Sequence, residues 1–176
     1  MMTVLSYVLA VAGLGLVALQ VIAAQMANVH YPFERVTLIN LLRTDPHRAE
    51  AQCRALPNTF YAPIGAAIAA AAMAQSRDPA AIAAANRPAY DAAAMAAASF
   101  WKMALTKGKL GVGLAGGAIV LDPAKGVPTL FVIMAVIAAG GLGWVWWRAE
   151  AAERSVVLAR AEVLPEVDRV FVGGHY

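Results

Sequence analysis

Charged residues are scarce in this chain of 176 residues. They make up 14% of the sequence, against roughly 25% in soluble domains, while 61% of the residues are hydrophobic. Such a composition leaves too little polar surface to cover a globule in water, so much of the surface must face lipid or other subunits. The sequence therefore indicates an integral membrane protein and excludes an ordinary water-soluble domain.

Residues for cross-links, metal sites and catalysis are also few. The single cysteine, Cys53, excludes a disulfide within the chain, and His30, His47 and His175 are too scattered to indicate a metal site. The net charge of +3 comes from dispersed basic residues, which predicts no nucleic-acid partner. No phosphate-binding glycine loop and no nucleophile beside a base is present, so we expect no catalytic residues, no cofactor and no enzymatic activity.

Two long apolar runs predict membrane-spanning helices. Residues 3–27 carry no charge, and no Lys or Arg precedes them as in a signal peptide, so a transmembrane helix is favoured over a cleaved leader. Residues 128–147 form the other run. Its predicted interface anchors stand at its end, because tryptophans beside an arginine are typical of a membrane surface: Trp144, Trp146, Trp147 and Arg148.

A third span is predicted over residues 101–121, although its apolar core is short. With two spans, the Arg-rich segments that follow the first and last runs would lie on opposite sides of the membrane. With three spans both lie in the cytoplasm, as the positive-inside rule favours, and the lysine stems of the middle span reach back to the interface. A tight outer hairpin then begins at Asp122, and the two-span alternative stays open.

The remaining residues predict cytoplasmic helices. Asp45 and Asp78 each precede a proline, which is typical of a helix start, and residues 28–100 are predicted to form a helical bundle. The expected helices cover residues 47–56, 60–75 and 80–85, with another run from Asn86 toward Trp101. Residues 148–176 predict a cytoplasmic C-terminal helix that Pro165 ends or bends, then an extended docking segment or a frayed end.

Small residues at helical spacing predict helix-packing faces. Gly113 and Gly117 form one pair, and Ala135, Ala139 and Gly143 form another series with the same four-residue spacing. Such spacing lets helix backbones approach closely in lipid, either within one chain or between subunits.

Two further side chains, Cys53 and Asp91, could have either a chemical or a packing role. Cys53 could be a reactive thiol beside Arg54, but a lone cysteine is more often a small packing residue. Asp91 is expected to pair with a Lys or Arg of the bundle.

The segments 43–53 and 109–116, together with the predicted layout, resemble the MotA/TolQ/ExbB proton-channel family. That resemblance implies an all-α fold in the bacterial inner membrane, with the N-terminus outside and the C-terminus in the cytoplasm. It also implies a homo-oligomer that holds a single-span partner. Family members place threonines along the ion path, and here Thr106 and Thr129 stand at the span ends.

The predicted function follows from the lack of ionisable groups inside most of the apolar runs, since a proton path needs such groups. We expect a non-enzymatic, structural subunit of an oligomeric inner-membrane complex, in contact with the lipid bilayer. One alternative is an active proton-channel subunit with a single-span partner. Another is a small accessory subunit of a respiratory or photosynthetic complex.

Overall fold

A computed structural model of the chain describes residues 2–74, 76–120 and 129–173, in which the regular elements are all helices. The helices are α1 (Met2–Met26), α2 (Tyr31–Thr44), α3 (Pro46–Ala55), α4 (Tyr61–Met73), α5 (Pro79–Val120), α6 (Thr129–Glu162) and α7 (Leu164–Val172). The all-α prediction is confirmed. The predicted hairpin at Asp122, the start of the last span at residue 128, and residues 174–176 lie outside the described residues.

The chain divides into two compact units. The three-helix unit comprises Met1–Met26 and Trp101–Glu150, and the bundle unit comprises Ala27–Phe100 and Ala151–Tyr176. Helices α5 and α6 supply residues to both units.

Two helices are long and apolar enough to cross a membrane. They are Val4–Met26, with a mean hydropathy of 2.2, and the helix that begins at Thr129, with a mean hydropathy of 2.0. The predicted middle span corresponds to the C-terminal part of α5 and is not among them. Lys107, Lys109 and several glycines lower the hydropathy of that segment.

The core of the three-helix unit consists mainly of small side chains and close backbones, with Phe131 and Val145 as larger buried residues. From one end to the other, contacts join Ala10, Ala118 and Phe131, then Val17, Ala115 and Ala138, then Gly108 and Leu142. Residue numbers rise along α1 and α6 and fall along α5 in this series, so α5 runs antiparallel to the other two. The closest approach joins α1 to α5, because a Cβ on Gly13 would lie 2.4 Å from the carbonyl oxygen of Gly111.

The bundle unit has a core to which six helices contribute, and most of its large side chains come from α2, α4, α5 and α7. The largest fully buried ones are Tyr61, Tyr90, Phe60, Leu38, Leu42, Ile64, Ile68, Ile82, Val163 and Val167. The predicted helix start at Asp45 is confirmed, since its carboxylate accepts a hydrogen bond from the Arg48 amide at 3.0 Å. The hydroxyl of Thr59, which precedes the N-cap Phe60 of α4, accepts a hydrogen bond from the Tyr61 amide at 3.2 Å.

Two local predictions are wrong. In each case, tertiary contacts override a local sequence signal. Helix α5 continues through Pro88 without the expected new start at Asn86. Asn86 is buried and bonded to Asp168, and the Tyr90 hydroxyl donates to the Val156 carbonyl at 2.6 Å, so contacts on both sides of the proline hold the helix.

The second wrong prediction concerns the C-terminal segment. The expected break at Pro165 is confirmed, because α6 ends at Glu162 and Pro165 lies in the first turn of α7. Residues 170–172 are helical rather than extended or frayed, and Val170 and Phe171 are buried in the core of the bundle unit. Burial of these two side chains stabilises a helix that the sequence pattern alone did not indicate.

Candidate functional site

Hydrogen-bonded carboxylates join the helices of the bundle unit. The Tyr31 hydroxyl and the Arg35 guanidinium both donate to Oε2 of Glu162, at 2.9 and 2.5 Å. The Tyr61 hydroxyl donates to Glu34 at 2.6 Å. These bonds connect α2 to the end of α6 and to α4.

The ionisation states follow from these surroundings. Burial, and then the hydrogen bond to a carboxylate, raises the pKa of Tyr31 and of Tyr61 above the ordinary value for tyrosine. The hydrogen bond from Arg35 lowers the pKa of Glu162. The tyrosines therefore remain donors and the carboxylate remains an acceptor near neutral pH, an arrangement that holds helices together.

Cys53 lies where α3 and α4 approach each other. Its Cβ would be 2.7 Å from a Cβ placed on Gly65, and its side chain is buried. Burial raises the pKa of the thiol to about 12, so the reactive thiolate is disfavoured. The interpretation of Cys53 as a packing residue is confirmed.

Other charged side chains of the bundle unit also occur in pairs. Asp91 accepts from Arg160 at 3.0 Å, which confirms its predicted pairing, and Glu166 accepts from Arg43 at 2.9 Å and from Arg169 at 2.5 Å. Among the residues that the structure describes, no group of three His, Cys, Asp or Glu side chains comes together as metal ligands do.

Three of the four predicted interface anchors, Trp144, Trp147 and Arg148, form one cluster on α6. The Arg148 guanidinium carbon lies 6.0 Å from the centre of the Trp144 ring and 5.7 Å from that of Trp147. The Trp146 and Trp147 side chains are exposed. An aromatic and cationic cluster of this kind suits a membrane surface, where one part of each ring is apolar and the other is wet.

The lysines of the three-helix unit lie toward the same end as this cluster. Gly108 of α5 lies against Leu142 of α6, and α5 is antiparallel to α6. Lys102 is therefore about 9 Å further than Gly108 toward the Trp and Arg end, at the level of Arg148. Lys107 lies between Gly108 and Lys102 along the helix axis. In the described part of this unit, no Lys or Arg lies toward the other end.

The small residues predicted to pack helices lie on open surfaces of the single chain. A Cβ on Gly113, Gly117 or Gly143 would meet no atom within 4 Å, and Ala139 is exposed while Ala135 is half-buried. The close contacts within the chain are made by other glycines, Gly13, Gly111 and Gly141, which face neighbouring helices. The three predicted glycines are therefore not at the closest helix contacts of the single chain, and their role in helix packing stays a prediction.

The two threonines of the possible ion path are not brought together. Thr129 begins α6, and Thr106 lies near the Trp and Arg end, about 20 Å away along the helix axes. The Thr106 hydroxyl donates to the carbonyl of Lys102 at 2.9 Å. Within one chain these two hydroxyls do not form a continuous path.

Comparisons with known proteins found no relative of this chain. No protein-family profile, no curated protein and no solved structure matches the chain. The function must therefore be inferred from the two units themselves.

Proposed function

We propose that this protein crosses the membrane three times and serves as a structural subunit of an oligomeric inner-membrane complex. The outer faces of α1 and α6 support membrane insertion, since they carry exposed bulky apolar side chains around a core of small residues. These side chains include Val4, Leu5, Val8, Val11, Leu19, Ile22, Leu130, Ile133, Val136 and Ile137. Helix α5 contacts both α1 and α6 and runs antiparallel to them, so it passes through the same apolar layer.

The distribution of charge supports one orientation. Lys102, Lys107, Lys109 and Arg148 lie toward one end of the three-helix unit, and cationic ends are retained in the cytoplasm. This orientation puts the N-terminus outside and the bundle unit in the cytoplasm.

Apolar exposure on the bundle unit is the observation that carries the subunit role. Phe33, Met95 and Val157 are 72%, 69% and 68% exposed, and Val36 and Leu158 are exposed as well. These residues lie outside the two apolar stretches predicted to span the membrane, so lipid does not account for all of them. Exposed large apolar groups on such a unit favour contact with another protein chain.

A structural rather than catalytic role is favoured by the pairing of polar groups. Glu162 accepts from Tyr31 and Arg35, Asp91 accepts from Arg160, and the Cys53 thiol is buried. Groups engaged in this way fix helix positions. The family resemblance agrees with such a role but adds no residue to the argument.

The subunit role is tested by counting chains in the detergent-solubilised complex with native mass spectrometry. We expect more than one chain, and we expect Val157→Asp to lower the count because it places a charge in an apolar contact. Ala151→Asp, at another exposed position of α6, is the matched control and should leave the count unchanged. A monomeric wild-type protein with no co-purifying chain would contradict the proposal.

The topology is tested with single cysteines in a Cys53→Ser background. An impermeant thiol reagent added to whole cells should label Lys125→Cys and should not label Arg148→Cys. Labelling of position 148 without labelling of position 125 would overturn the three-span arrangement.

A further inference from the structure

One face of α5 differs from every other outer face of the three-helix unit. It consists of Lys102, Thr106, Lys109, Gly113 and Gly117, which we call the α5 strip. Successive members are three or four residues apart, so they lie above one another on a helix. The buried residues of this segment, such as Ala104, Ala115 and Ala118, occupy the opposite face.

The α5 strip has a cationic half and a smooth half. Lys102, Thr106 and Lys109 are exposed, and the glycines below them leave the helix backbone uncovered. Most of the remaining outer surface of the unit carries Val, Leu, Ile and Trp side chains, which suit direct contact with mobile lipid tails. The open series Ala135, Ala139 and Gly143 of α6 is also small, but it contains no lysine. The α5 strip, with its different composition, is suited to a more specific ligand.

The lysines of the strip have no carboxylate partner in the part of the chain that the structure describes. The ion pairs Arg35–Glu162, Arg43–Glu166 and Arg160–Asp91 all use arginines of the bundle unit, and neither lysine of the strip takes part in them. A cation next to the apolar layer is costly unless it reaches water or an anion. The exposed ammonium groups can reach water at the membrane surface, and at the same position they can bind an anionic headgroup.

The direction of α5 determines how close the ammonium group of Lys109 comes to the membrane surface. Lys109 is level with Gly141, about 8 Å deeper than Trp146. Side chains on a helix tilt toward its N-terminus, and the N-terminus of α5 points to the Trp and Arg end. The Lys109 stem is thus aimed at the membrane surface, where Lys102 already lies.

We propose that the α5 strip binds one anionic phospholipid. Its headgroup phosphate is held by Lys102 and Lys109, and an acyl chain lies against Gly113 and Gly117, where no side chain intervenes. This inference rests on the three-span topology proposed above. A phospholipid fits better than an acidic helix, because both ammonium groups reach the headgroup layer, whereas a helix carboxylate at the depth of Lys109 would be buried in hydrocarbon.

The test is a lipid titration of the purified protein followed by native mass spectrometry. Phosphatidylglycerol and phosphatidylcholine with identical acyl chains are compared, so that only headgroup charge differs. Each lysine near the surface contributes about fivefold, so we expect the wild type to prefer phosphatidylglycerol by about 30-fold at the first binding site. The double variant Lys102→Gln, Lys109→Gln should bind the two lipids almost equally.

Two further variants separate charge from shape. Lys107→Gln removes one positive charge from the same helix but off the strip, and it should keep most of the preference. Gly117→Leu fills the smooth half without changing charge, and it should weaken binding of both lipids.

Three outcomes would overturn the proposal. The first is a phosphatidylglycerol preference that survives in the double lysine variant. The second is a loss of preference in Lys107→Gln as large as that in the double variant. The third is an acidic membrane protein that co-purifies with the wild type but not with the double variant, while both bind the two lipids in the same ratio. Failure of the three-span topology is recognised separately, by the cysteine labelling pattern at positions 125 and 148.

Discussion

The two units of the molecule distribute side-chain size in opposite ways. In the three-helix unit most buried residues are Ala or Gly, with larger exceptions such as Phe131, Val17 and Val145, and many Val, Leu and Ile side chains lie outside. The bundle unit instead buries Phe60, Tyr61 and Ile64 and exposes charged pairs. In water, burial of large apolar groups is the main favourable term, so they collect inside. In lipid that driving force between helices is lost and close backbone contact takes its place. This difference is the one that the proposed topology requires, with the three-helix unit in lipid and the bundle unit in water.

The largest effect is expected from opening a cavity in the bundle unit. Ile64→Ala should lower the free energy of unfolding of this unit by about 2–5 kcal/mol, because Ile64 is fully buried. Hydrogen exchange of α4 peptides measures it. Met73→Ala removes an apolar side chain that is 76% exposed on the same helix and should cost less than about 0.5 kcal/mol. Equal effects would mean that large-residue burial does not stabilise this unit.

The reciprocal change adds volume to the three-helix unit. Gly13→Ala should destabilise it by about 1–3 kcal/mol, since the new Cβ would meet backbone atoms of α5 that cannot move aside. Gly15→Ala is the control, because nothing lies within 4 Å of its Cβ. Tryptophan fluorescence during denaturation reports on this unit, which contains all the tryptophans. Identical midpoints for the two variants would contradict the close contact.

A bulky substitution on the outer surface tests which small residues face another protein chain. Ala139→Leu should weaken association by about 1–3 kcal/mol, because Ala135, Ala139 and Gly143 form an open series on α6. Native mass spectrometry gives the subunit count. Gly117→Leu should leave this count unchanged, since we assign that face to lipid. If Gly117→Leu lowered the subunit count and Ala139→Leu did not, the α5 face would contact another protein chain and the α6 face would contact lipid.

The smallest effect concerns pH and the bundle unit alone. Arg35 holds the pKa of Glu162 below its ordinary value, so this carboxylate contributes stability that is complete above the unfolded pKa of about 4.3. That contribution is lost as the pH falls through the lower folded pKa. The protection of bundle-unit amides, measured relative to their intrinsic exchange rate at each pH, should therefore fall in acid, and Glu162→Gln should reduce this dependence.

The control for the acid effect is Glu153→Gln, at an exposed position of the same helix. It should retain the wild-type pH profile. An unchanged profile in Glu162→Gln would show that the bond to Arg35 does not set the acid sensitivity.

Much of the fold is predictable because its signals are local. The Asp45 and Pro46 helix start, the two apolar helices and the break at Pro165 each depend on residues within a turn or two. The continuation of α5 through Pro88 depends instead on Asn86 and Tyr90, whose partners lie more than sixty residues away in the sequence. A local pattern cannot report such contacts.

The interaction surfaces are less predictable for the same reason. Spacing alone identifies Gly113 and Gly117 as neighbours on a helix, but it does not say which face is buried. Gly13 and Gly15 both lie in the same apolar run, yet only Gly13 contacts α5. Only when the buried face of α5 is known does it follow that Lys102 and Lys109 lie together on the opposite, exposed face.

The contact between Gly13 and Gly111 also sets an order of events during synthesis. Gly111 follows Gly13 by 98 residues in the sequence. At the usual rate of about 5–20 residues per second, the ribosome needs about 5–20 s to produce the second glycine after the first. In the proposed topology, α1 therefore resides in the membrane without its partner for that time, with lipid tails against Gly13. Assembly of the three-helix unit is then a late exchange of lipid for the α5 backbone, and a side chain at position 13 would block that exchange without affecting the insertion of α1.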